Sequence, residues 1–161
     1  MLYLLDANVL IDANRDYYPL KRVPEFWDWL HHAGAAGDLK VPREIYDELT
    51  AGIGSLVDWL KQREIKRDLV FNENPDPNMV DRVVITGYAP NLTDLEVSKV
   101  GRDPFLIAYA LAKRDERWVI TNEASKPTRQ RANRHIPDVC KALHVSCDNT
   151  FFLTRMLDFH P

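Results

Sequence analysis

The 161-residue sequence has only two cysteines, Cys140 and Cys147, and no apolar run that approaches the length of a membrane span. Two cysteines make no disulfide framework, so a reduced, cytoplasmic setting is expected. Zinc is not expected either, because neither the cysteines nor the five scattered histidines show the spacing of ligand pairs. The start lacks a basic segment followed by an apolar one, and no signal peptide is expected. A surplus of charge is missing too. A net charge of −3 and a pI near 5.9 exclude a protein that coats nucleic acid by bulk charge. Any such contact needs a local basic patch or bound metal ions. Repeats, low-complexity segments and interdomain linkers are also absent, so one domain over residues 1–161 is expected.

What is present is an ordinary globular composition, 45% hydrophobic and 28% charged. Residues Leu2 to Leu5 form an apolar run without alternation, the pattern of a strand buried on both faces of a parallel sheet. The run stops at Asp6, at the edge where open α/β sheets bind ligands. Further strands are expected at Leu39 to Val41, Leu69 to Phe71, Arg117 to Thr121 and His144 to Cys147. Between them the spacing predicts helices over Ala7 to Ala13, Pro24 to Ala33, Pro42 to Ala51, Ser55 to Lys66, Met79 to Tyr88, Asp103 to Ala112 and Phe151 to Leu157. Thr93 and Glu96 fit a capping box for one more. Asn14 to Lys21 reads as a polar loop. Strands alternating with helices predict a three-layer α/β/α sandwich with a mostly parallel sheet of about four to five strands.

Four acids stand at element ends or on an inward helix border. Asp6 follows the first strand, Glu48 borders the stripe of Ile45 and Leu49, Asp103 begins the most apolar helix, and Glu123 comes just after the strand ending in Thr121. Each has a bland alternative. Asp6 and Asp103 can cap helices, Glu48 can be a surface acid, and Glu123 can cap the next element of the chain. Gathered at one sheet edge, however, carboxylates raise each other's proton affinity, and a hard cation relieves that repulsion. All-oxygen carboxylate sites suit Mg²⁺ or Mn²⁺, which serve phosphoryl chemistry.

The pieces Leu-Leu-Asp6-Ala-Asn8-Val, Glu-Ile-Tyr-Asp-Glu48-Leu, Asp103-Pro-Phe-Leu-Ile-Ala and Val-Ile-Thr121-Asn-Glu123 resemble the PIN domain superfamily. Those metal-dependent ribonucleases include VapC-like toxins of toxin–antitoxin pairs. The chain is also similar to an uncharacterised PIN-like family of bacteria and archaea through Tyr17-Tyr18-Pro19, Phe26-Trp27-Asp28-Trp29 and Ile136-Pro-Asp-Val-Cys140. The resemblance implies that Asp6, Glu48 and Asp103 hold metal, that Asn8 steadies the first acid, and that Thr121 is the strand-end threonine. Many PIN domains carry aspartate where this chain has Glu123, which reaches one methylene further or acts through water. Asp12 is a weaker rival ligand. The implied function is a Mg²⁺- or Mn²⁺-dependent endoribonuclease, a hydrolase of RNA phosphodiesters, in a toxin–antitoxin setting. An antitoxin-like protein and a second copy of the chain are the implied partners, with no membrane. The alternative is a non-catalytic PIN-like scaffold that binds RNA or protein. A flap-type DNA nuclease is a third possibility. The common α/β phosphatase needs an aspartate at position 8 and is disfavoured by Asn8.

After Glu123, the stretch from Lys126 to His135 carries Lys126, Arg129, Arg131 and Arg134 and no acid. Beside an acidic site such a run can hold a phosphate backbone, or it can be a solvated loop. The run Lys61 to Arg67, interrupted by Glu64, reads as a solvent face. Phe26, Trp27 and Trp29 have helical spacing and are expected in the core.

Overall fold

The structure, a computed structural model, describes all residues from Met1 to Pro161. Strands β1 (Leu2–Leu5), β2 (Leu39–Pro42), β3 (Val70–Phe71), β4 (Arg117–Ile120) and β5 (Ser146–Asp148) form one sheet in the order β3-β2-β1-β4-β5. All neighbours run parallel, with Leu5 beside Ile120 and Ile120 beside Asp148. The sheet grows outward on one side of β1 and then, from β4, on the other. The gap between β1 and β4 is therefore the switch point, where the connections diverge and leave a crevice at the carboxyl ends.

Helices cover both faces: α1 (Ala7–Asp12), α2 (Pro24–Ala36), α3 (Arg43–Thr50), α4 (Ser55–Leu60), α5 (Arg63–Leu69), α6 (Pro77–Arg82), α7 (Asp94–Val100), α8 (Asp103–Ala112), α9 (Ile136–Ala142) and α10 (Thr150–Met156). The three-layer α/β arrangement expected from the sequence is what forms. Burial from both sides explains why Tyr3, Leu4 and Leu5 run together without alternation. Helix α8 is buried from Leu106 to Leu111, as its lack of a polar stripe requires. Phe26 and Trp27 are core, and Tyr18 stacks on Phe26 at 4.3 Å.

Several elements differ from expectation, and α9 was not foreseen. The helix from Ser55 ends at Leu60 and a new one starts at Arg63 after an extended Gln62, and Tyr46 Oη donates to the Leu60 carbonyl at 3.0 Å. The helix expected at Met79 starts at Pro77 on an Asp76 cap and opens at Val83–Tyr88 into a wide π-type turn. The loop expected at Asn14 begins with a similar turn over Ala13–Tyr17, and the last strand starts two residues later and ends one residue later than expected.

Candidate metal centre at the β1–β4 crevice

Strand β1 delivers Asp6, and β4 delivers Thr121, to the same edge of the sheet. The two are locked together there, with Asp6 only 7% exposed. Thr121 Oγ1 donates to Asp6 Oδ2 at 2.8 Å, and the Ala7 amide donates to Asp6 Oδ1 at 2.7 Å. Asp6 thus does cap α1, and the charges of Glu123 and Glu48 reach the same carboxylate. Asn8 Nδ2 donates to Thr121 Oγ1 at 3.1 Å, while Asn8 Oδ1 accepts from the Asn122 amide at 2.9 Å. Asn8 therefore steadies Asp6 through Thr121 rather than by direct contact. Burial pushes the Asp6 carboxyl up to about 6 against those two hydrogen bonds, and the charges of Glu123 and Glu48 push the same way.

Asp103 opens α8 but caps nothing. No hydrogen bond holds its carboxylate, which burial and then the charges of Asp6, Glu123 and Glu48 push up to about 8. The bland reading of Asp103 as a helix cap is removed. Glu48 is exposed on α3, yet its charge reaches both aspartates. Glu123 Oε2 accepts from the Ile136 amide at 2.7 Å, so it caps α9 while lining the crevice. Asp12, the rival ligand, is occupied by Arg15 at 3.0 Å and by Asn122 Nδ2 at 3.0 Å.

Beside these acids lies Tyr88, delivered by the π-type turn. Its hydroxyl is buried without a hydrogen-bond partner. Burial, with the charges of Asp103 and Glu123, holds the phenol well above its usual value, so it stands as a neutral donor. Asp103, Glu123 and Tyr88 share a cavity of about 290 Å³ whose other walls include Lys99, Arg129 and His135.

Residues 3–160 match the family described as Domain of unknown function (DUF4411). The chain belongs to that family. No curated protein and no solved structure matches it.

In the basic stretch, the geometry separates the four cations. Arg129 lines the cavity. Arg131 is taken by Glu96 at 2.9 Å and by Asn91, and so ties the loop to α7. Arg134 lines the cavity but spends its guanidinium on the carbonyls of Gly87 and Asp138. Lys126 is exposed and lies outside the cavity lining, its amide bonded to Asp138. Sequence reasoning missed Lys99, Tyr88 and Asn122. Tyr88 and Lys99 carry no local motif, while Asn122, between Thr121 and Glu123, was visible only as a strand-end polar residue.

A DUF4411 site of this kind can be tested against a divalent ion by its donors. The carboxylates are all-oxygen ligands, Asp103 has no protein donor, and Tyr88 Oη is orphaned, so a hydrated hard cation suits the set in chemistry. In spacing it is not a ready-made cage, since no three His, Cys, Asp or Glu residues stand close enough to hold one ion.

Proposed function

We propose that this chain is a Mg²⁺- or Mn²⁺-dependent ribonuclease of the PIN type. One observation carries the reading: buried Asp6 and unpartnered Asp103 meet the charges of Glu48 and Glu123 at the switch point of a parallel sheet. Structure alone gives such an arrangement no benefit, because like charges held together in a low dielectric cost stability. Asp6 and Asp103 would hold the ion, and Glu48 and Glu123 would add negative charge around it. An ion held there would supply Lewis acidity for phosphodiester hydrolysis. Thr121 and Ala7 fix the orientation of Asp6. Arg129 and Lys99 hold the phosphodiester beside the acids, and Tyr88 donates its free hydroxyl to a phosphoryl oxygen. No side chain becomes covalently attached. The PIN resemblance supports RNA as substrate, a toxin–antitoxin setting with an antitoxin-like partner or a second copy, and the cytoplasm as location. No helix is long and apolar enough to cross a membrane.

Calorimetric titration with Mn²⁺, alongside Asp103→Asn and followed by cleavage of RNA and DNA oligonucleotides, tests the proposal. Saturable binding lost in the variant, with RNA cleaved, is expected. The absence of a ready-made cage and the engagement of Glu123 by Ile136 favour a second reading, a non-catalytic scaffold. RNA binding without Mn²⁺ binding or cleavage selects it.

A further inference from the structure

The run Lys61 to Arg67, expected as a solvent face, builds a second cavity. Arg63, Lys66 and Arg67 lie one turn apart on a single face of α5 and form one wall of a space of about 430 Å³. The opposite wall carries Arg43, the first residue after β2, together with Asp47 and Asn72. Four cations thus face one acid, within a chain that has 21 Lys and Arg against 24 Asp and Glu. Only one of the four forms an ion pair. Arg67 pairs with Asp68 at 2.7 Å and Arg43 donates to Asn72 Oδ1 at 3.1 Å, but neither Arg63 nor Lys66 forms an ion pair. Lys66 is drawn over the Tyr46 ring at 5.7 Å, which orients its ammonium without cancelling its charge.

Position gives this cluster its meaning. Arg43 leaves the carboxyl end of β2 and Asn72 that of β3, the edge from which Asp6 leaves β1. Two interstrand spacings, about 10 Å, separate the ends of β3 and β1. A single strand laid along this edge passes from the acidic crevice directly over the cationic cavity. Arg43, Arg63, Lys66 and Arg67 give this lining a cationic surplus, which suits a charged backbone.

We propose that Arg43, Arg63, Lys66 and Arg67 form a phosphate-binding subsite that holds the backbone of single-stranded RNA beside the β1–β4 crevice. The inference rests on the nuclease reading for its ligand, and its test is separable from that reading. Fluorescence anisotropy of labelled oligouridylate in EDTA, across a salt series, compares wild type with the double variant R63A/K66A. The double variant is expected to bind about tenfold more weakly at ~0.1 M salt, with a salt slope shallower by ~1.4, about 0.7 for each cation removed. Its Mn²⁺ titration is expected to match wild type, which shows that the fold and the acidic site remain. Equal affinity and equal slope in the two proteins overturn the subsite, and leave the nuclease proposal standing if RNA is cleaved. RNA binding that responds as expected, without any cleavage, keeps the subsite and overturns the nuclease. Saturable binding of pyrophosphate with no binding of RNA overturns the assignment in favour of a small phosphate ligand.

Discussion

Tyr88 separates stability from function at a single residue. An unpartnered buried hydroxyl costs free energy, so removing it is neutral or gains up to about 1 kcal/mol. If the hydroxyl meets a phosphoryl oxygen in the transition state, its loss costs about 10²-fold in kcat, as for other preorganised donors. Tyr88→Phe is thus expected to unfold at the same or higher urea concentration, with kcat down and KM little changed. Equal kcat in the two proteins returns Tyr88 to a packing role. At this scale the sequence was partly legible. Asp6, Asp103 and Glu123 were visible because each stands where an apolar run stops or starts sharply. Tyr88 was not, since an aromatic at the end of an apparent helix looks the same whether it packs or points into a cavity.

Elements were legible where one cause decides them and illegible where two compete. The run Leu2–Leu5 and the wholly apolar α8 are explained by burial alone. The break after Leu60 comes at an extended Gln62, where a hydroxyl from a different helix meets the Leu60 carbonyl, and no local pattern announces it. The π-type turn at Val83–Tyr88 likewise answers to packing against α9. A Cβ on Gly87 would lie 2.6 Å from Val139 Cγ1, so the absence of a side chain is what lets this turn close on that helix. Such wide turns recur at functional sites because they re-aim a residue that a regular helix would direct elsewhere. Gly87→Ala is expected to cost about 1–3 kcal/mol, the range for overpacking a closed core. It should also displace Tyr88, so the denaturation midpoint and kcat fall together, whereas Tyr88→Phe lowers kcat alone. A Gly87→Ala protein with an unchanged midpoint would show that the turn has slack.

At the scale of the whole molecule, the sheet order concentrates charge of opposite signs along one edge and links that edge to global stability. Asp103 has a folded-state value of about 8 against an ordinary 3.8, and Asp6 about 6. Between the unfolded and folded values the native state holds protons that the unfolded chain has released. The stability they contribute is therefore fully present below about pH 4 and lost as the pH rises through 6 and then 8. From these two groups, the metal-free protein is expected to melt at progressively lower temperature from pH 5 to pH 8, and Asp103→Asn to flatten the upper half of that decline. At pH 8, where the burden is greatest, the variant should gain about 1–2 kcal/mol, the usual yield of relieving a strained functional site. Mn²⁺ at about a hundred times its Kd should stabilise wild type by about 2.7 kcal/mol and leave the variant unmoved. Scanning calorimetry in EDTA and in Mn²⁺ across this range reads both effects. Parallel pH profiles for the two proteins would mean that the edge acids are already compensated within the fold and have no need of a cation.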